Sequence, residues 1–295
     1  MPGNHAMVPL REGVRSDRAD MNTDIRAARQ SAFLDRDDHH EPSVFLPQNL
    51  LREARRQRGI PVGCVPPVCL LDPDGDIVRH LTRHDRASRS ATWACYHTDL
   101  VETNLGGNTV GIVGCAVGAP FAVLVAEEMF ASGCELLVSI TSAGRVATDL
   151  PLSCVIAIDR ALRGEGTSYA YLPPAPIVEA DTALIDRVRC DLAAAGIDTL
   201  RGTTWTTDAP FRETETALAA AADAGALAVE MEAAALYAFA RARRRSIVCF
   251  AHVTNELAVT DGDFEKGPAD GAEAALALVA AVASGWRSRR EEHRP

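Results

Sequence analysis

The stretch Leu227-Ala228-Val229-Glu230-Met231-Glu232-Ala233-Ala234-Ala235-Leu236 sets two carboxylates inside an apolar run. Leu227 to Val229 reads as a short strand, and 231–243 as a helix rich in Ala. On a strand, Glu230 and Glu232 would share one face; the start of a helix diverts one of them. Acids at a solvated helix N-terminus are favourable and common. Here the apolar flanks imply burial, where an unpaired carboxylate is costly. These carboxylates need partners, and a sugar diol is one that fits.

Working outward, apolar strands and helices alternate along the chain. Strands are expected at 65–71, 92–97, 109–115, 135–140, 154–160, 199–204 and 246–253. Helices are expected at 49–58, 77–83, 121–132, 181–195, 213–223 and 269–284. Gly133 and Gly196 close two of the helices, and Asp72-Pro73-Asp74-Gly75 reads as a turn. This pattern predicts one α/β domain over 44–295, a three-layer α/β/α sandwich around a mixed central sheet. Residues 1–43 mix Arg, Asp and His with little apolar periodicity and read as an N-terminal extension.

Composition narrows the function. Of 295 residues, 47% are hydrophobic, enough for a full core and too many for a disordered chain. The formal net charge is −10, which argues against a nucleic-acid partner, and Lys266 is the only lysine. The 8 cysteines contain no Cys-x-x-Cys pair, so neither a zinc site nor a disulfide framework is expected. No apolar run reaches the roughly 20 residues of a membrane span, and the expected location is the cytoplasm.

In open α/β sheets, ligands bind at the C-terminal ends of strands. Four segments fall there. Gly114-Cys115-Ala116-Val117-Gly118-Ala119-Pro120 leads from a strand into a helix, where glycines admit a close ligand and the helix N-terminus favours anions. Ser139-Ile140-Thr141-Ser142-Ala143-Gly144-Arg145 follows a buried strand and reads either as an anion or sugar pocket or as a polar turn. In 202–214, Phe211 offers a stacking face and Arg212 and Glu213 offer donors and acceptors; alternatively, Thr207 or Asp208 caps the next helix. The fourth segment is the Glu230-Met231-Glu232 junction.

Taken together, these residues resemble the nucleoside phosphorylase superfamily of the uridine and hexameric purine type. Val229 to Ala235 is similar to its signature, and Gly114–Pro120 with Ser142-Ala143-Gly144 to its two phosphate-side loops. Gly164-Glu165-Gly166-Thr167-Ser168-Tyr169, the run 206–214 and Val253-Thr254-Asn255 follow in the family's order. The resemblance implies cleavage of a nucleoside N-glycosidic bond by a homo-oligomer (dimer, trimer or hexamer) with no metal or redox cofactor and phosphate as co-substrate. It implies that Glu232, with Met231 and Glu230, holds the ribose. Phe211, Arg212, Glu213 and Asn255 would meet the base, and Gly114, Gly118, Ser142 and Arg145 the phosphate. Glu232 and Asn255 would be the catalytic pair.

Three departures bear on the reaction. The family's Gly-Asp-Pro-x-x-Arg loop is missing from the region of Gly63-Cys64-Val65-Pro66-Pro67, and Ser139 stands where phosphorylases carry an Arg. Arg145 or an arginine in 52–58, of the same or a neighbouring subunit, would have to replace the lost guanidinium groups. Asn255 replaces the acid of the hexameric purine enzymes and cannot protonate a base. The family's nucleosidases place an acid near the first strand, and none occurs in 59–71. On this footing phosphorolysis is the expected reaction, hydrolysis the alternative, and a non-catalytic nucleoside-binding homologue a third reading.

Overall fold

The computed structural model describes residues 37–257, 264 and 266–292. Most of the N-terminal extension therefore lies outside the described residues. Its end is tied to the domain: His39 Nε2 donates to the Tyr169 carbonyl at 3.1 Å, and Ser43 Oγ accepts from Arg243 at 3.0 Å.

Ten strands form one mixed sheet: β1 (Val68–Asp72), β2 (Ser88–Arg89), β3 (Val101–Leu105), β4 (Asn108–Gly114), β5 (Leu136–Arg145), β6 (Val155–Gly164), β7 (Ile177–Glu179), β8 (Leu200–Thr207), β9 (Ala226–Glu230) and β10 (Ser246–Asn255). The order is β10-β6-β8-β9-β5-β1-β4-β3-β2, with β7 on β6. β10 also pairs with β5 in parallel from Ser246↔Leu136 to Asn255↔Gly144. The strands β5, β9, β8, β6 and β10 therefore close on themselves, and β1 to β4 extend from the ring as an open wing.

Seven α-helices cover the sheet: α1 (Pro47–Arg58), α2 (Asp76–Arg83), α3 (Ala119–Ala131), α4 (Thr182–Ala194), α5 (Glu215–Asp223), α6 (Ala233–Arg243) and α7 (Ala272–Glu292). The core divides between the two faces. One part gathers Met129 and Phe130 of α3 with Leu236, Tyr237 and Phe239 of α6. The other gathers Ile77 and Leu81 of α2, Ile185 and Val188 of α4, and Val279 and Val282 of α7. No helix among the described residues is long and apolar enough to cross a membrane.

Two expectations change. Residues 92–97 form no strand. Trp93 and Cys95 are buried, but the segment satisfies its polar groups locally, with Trp93 Nε1 donating to the Thr98 carbonyl at 3.1 Å. The strands also run further than apolar patterning shows, β5 to Arg145, β6 to Gly164, β8 to Thr207 and β10 to Asn255. Their last residues are polar because they face the ligand end of the sheet. The segment 139–145 is thus mostly strand and not a turn.

Tyr237 links the layers. Its hydroxyl donates to the Ile158 carbonyl at 2.6 Å and accepts from the Cys249 N–H at 3.0 Å, joining α6 to β6 and β10. Tyr237→Phe strands both groups without solvent, so a loss of about 1–3 kcal/mol in urea unfolding is expected. Wild-type stability would show that these groups find other partners.

Candidate active site

The parallel strands β1, β4, β5 and β10 end on one side of the sheet, and the site residues gather there. β9 delivers Glu230, the chain turns through Met231, and Glu232 stands at the N-cap of α6. Glu230 is fully enclosed. Its Oε1 accepts from the hydroxyls of Thr204 (3.0 Å) and Thr206 (2.5 Å), and its Oε2 from the N–H groups of Glu232 and Ala233, both at 2.7 Å. All its lone pairs that face donors are used inside the protein, so the expected ribose contact by Glu230 is corrected: it holds the β9–α6 junction.

Glu232 has a different environment. Its Oε1 accepts the Gly118 N–H at 2.7 Å, while the buried Oε2 has no hydrogen-bond partner among the described residues. Burial, then the charge of Glu230, pushes its pKa up to about 8. Gly118 takes φ +86, with open space where a side chain would project, so glycine is required by the backbone. Its N–H is directed at Glu232, and Gly114 is packed against Val78; neither glycine presents an anion cradle, contrary to expectation.

Ser142 is where the anion site was expected, and a carboxylate already occupies it. Asp74 Oδ2 accepts the Ser142 N–H at 2.9 Å and Oδ1 accepts its hydroxyl at 3.0 Å. Lys266 Nζ lies 3.3 Å from Asp74 and 2.5 Å from Asp76. Arg79 donates to the Asp74 carbonyl at 2.8 Å and pairs with Asp76. Arg145, expected at the phosphate, donates instead to the Leu150 carbonyl at 2.9 Å and pairs with Glu256. Within this chain Arg58 on α1 donates to the Cys95 carbonyl at 2.7 Å, and Arg52 and Arg56 pair with Glu53. His252 lines the same niche and is kept below its ordinary pKa by burial and by Lys266, so it adds no charge at neutral pH.

Asp74 and Lys266 escaped the sequence reading. The comparison with the family loop fell on 63–67, at the entry to β1, whereas the ligand end of that strand carries Asp72-Pro73-Asp74-Gly75-Asp76. An Asp-Pro pair is retained there, followed by acids. Lys266 had a signal, as the single lysine of an acidic chain.

On the base side, Asn255 ends β10 beside Gly144. Its Nδ2 donates to Thr254 Oγ1 at 3.0 Å and its Oδ1 accepts the Leu257 N–H at 2.9 Å. Met231 is partly buried next to Glu232. Phe211 and Arg212 form a 3₁₀ turn in which the ring is 99% exposed, so no described element covers it, and Glu213 is half-buried. The structure thus brings Glu232, Gly118, Ser142 and Asn255 to the strand ends but leaves Phe211 and Arg212 outside. Helix α5 is capped by Thr214, which accepts from the Ala217 N–H at 3.2 Å, and not by Thr207 or Asp208.

A sequence profile of the phosphorylase superfamily matches residues 67–284. The chain belongs to the phosphorylase superfamily. Solved structures with the same fold include a uridine phosphorylase from Vibrio fischeri (21% identity, 76% of this chain and 92% of that one, TM-score 0.64). A purine nucleoside phosphorylase from Toxoplasma gondii aligns at 14% identity over 77% of this chain and 93% of that one, with TM-score 0.64. An AMP nucleosidase from Bacteroides thetaiotaomicron aligns at 18% over 83% and 99%, with TM-score 0.66. No curated protein sequence matches the chain. At these identities the structures establish the fold, and both reaction types occur among them.

The elevated pKa of Glu232 has a measurable consequence. A carboxyl whose folded pKa is raised contributes stability that is fully present below its unfolded pKa, near 4.3, and is lost as pH rises through the folded value. Between about pH 4.5 and 8, Glu232→Gln should therefore flatten the fall of Tm with pH in the ligand-free protein. Parallel curves for the two proteins would mean that Glu232 is already ionised.

Proposed function

We propose that this superfamily member cleaves the N-glycosidic bond of a nucleoside with water as the nucleophile. The observation that carries the reading is the Asp74 carboxylate, hydrogen-bonded to both the N–H and the hydroxyl of Ser142. A phosphorolytic site needs guanidinium or ammonium groups facing that position, because charge-assisted bonds supply most of the affinity for phosphate. Here a carboxylate faces it, Arg145 is turned to Glu256, and the ammonium of Lys266 is already paired with Asp74 and Asp76. The niche lined by Asp74, Ser142, His252 and Lys266 measures about 30 Å³, the room of a water molecule.

The chemistry follows from this placement. Ribose hydroxyls donate to the free Oε2 of Glu232, and ionised Glu232 stabilises the positive charge that develops at C1′ as the bond to the base lengthens. Water adds to C1′ and passes a proton to Asp74. The base leaves with the bonding pair and takes a proton from solvent. The Asn255 amide donates to the departing base without protonating it. The charge of Asp74 adds to the rise of the Glu232 pKa, after burial and the charge of Glu230.

The test is release of free base from inosine, guanosine, adenosine, AMP, uridine and 5′-methylthioadenosine, with and without phosphate. Release at equal rates in the absence of phosphate is expected. Asp74→Asn should lower kcat about 10²–10⁴-fold, the range for loss of a general base. Glu232→Ala should cost about 10²–10³-fold in kcat/KM. Release that requires phosphate would restore the phosphorolytic reading. Binding without release from any substrate would make the chain a sensor.

A further inference from the structure

The arginine run at the end of α6 is not used by the site described above. Arg241, Arg244 and Arg245 line a cavity of about 480 Å³ together with Ser246 at the start of β10 and with Glu179 and Asp181. The cavity is of the size that takes a small-molecule ligand. It lies at the opposite end of α6 from Glu232, roughly 16 Å away along an 11-residue helix.

Several arginines of the surface are held by acids. Arg52, Arg56, Arg86, Arg89, Arg201 and Arg290 all pair with carboxylates. Arg241 and Arg244 have no acceptor among the described residues, and the Arg245 guanidinium is only stacked, 5.3 Å from the centre of the Phe130 ring. A helix C-terminus favours cations in its last turn, which accounts for Arg241 and Arg243. It does not account for two more beyond the helix end, nor for three arginines lining one hollow in a chain of net charge −10. Arg244 caps the helix at φ 53, in the left-handed region where glycine is the usual residue. Guanidinium forks match phosphoryl oxygens in pairs. The carboxylate of Asp181 caps α4 through one oxygen, accepting the Leu184 N–H at 3.0 Å, and its other oxygen and Glu179 are acceptors for hydroxyl groups.

We propose that this cavity binds a phosphorylated sugar or nucleotide, with the phosphoryl group among Arg241, Arg244 and Arg245 and the sugar hydroxyls toward Glu179 and Asp181. The site is separate from the glycosidic-bond site and stands whichever reaction the latter performs. Isothermal titration with ribose 5-phosphate and with ADP tests it, with ribose as the unphosphorylated control. At least one phosphorylated probe should bind wild-type protein, and which one does identifies the source of the phosphate; ribose should bind at least 10-fold more weakly at this cavity. Arg241→Ser with Arg244→Ser should weaken that binding at least 10-fold, the charge-preserving Arg241→Lys with Arg244→Lys less so, and Glu232→Gln should leave it unchanged. Absence of binding to wild type at millimolar probe would overturn the proposal. So would binding that survives both arginine variants, or binding lost in Glu232→Gln.

Discussion

The buried carboxylate of Glu230 governs the arrangement of everything around it. Two hydroxyls from β8 and two N–H groups from the first turn toward α6 converge on its oxygens, so strand, junction and helix are fixed by one group. Thr206 accepts in turn from the Ala234 N–H at 2.9 Å, which continues the network into the helix. Burial pushes the Glu230 carboxyl up, and the four donors oppose that by favouring the ionised form. A buried network of this kind is stable only when every member is satisfied. Its product is a Glu232 at the strand ends with one oxygen held by Gly118 and the other without a hydrogen-bond partner among the described residues.

Two carboxylates two residues apart therefore play opposite parts. Glu230 is surrounded by donors and serves the fold. Glu232 accepts from the Gly118 N–H, sits beside the charge of Glu230, and is driven toward its neutral form by burial, with the Thr141 hydroxyl opposing that. Separating the environments of adjacent acids in this way is how one short segment provides both scaffold and chemistry.

Asp74 and Ser142 show the same economy at the other end of the site. Ser142 projects its donors from β5 toward a position suited to an anion, and the loop after β1 fills that position with a carboxylate from the protein itself. Lys266 pairs with Asp74 and Asp76 of that loop, and the niche is polar, small and net acidic. The closure of β10 onto β5 is what brings the elements together, since it places Asn255 beside Gly144.

The sequence by itself determined the alternation of strands and helices, the strand-to-helix junction at Glu230–Glu232 and the membership of the superfamily, because apolar periodicity and short motifs are local. It singled out Glu232 for the same reason: an acid in an apolar run must be accounted for. It did not determine the ends of the strands, since polar ligand-facing residues such as 141–145 break the apolar pattern although the backbone continues to pair. It placed Phe211 and Arg212 at the base, where only packing could show that they stand outside. Tertiary structure alone decided which carboxylate is saturated and which is free, and that Asp74, 68 residues from Ser142 in sequence, occupies its anion-binding donors. Hydrogen bonds between distant segments depend on how strands register in the closed sheet, and no local pattern encodes that register.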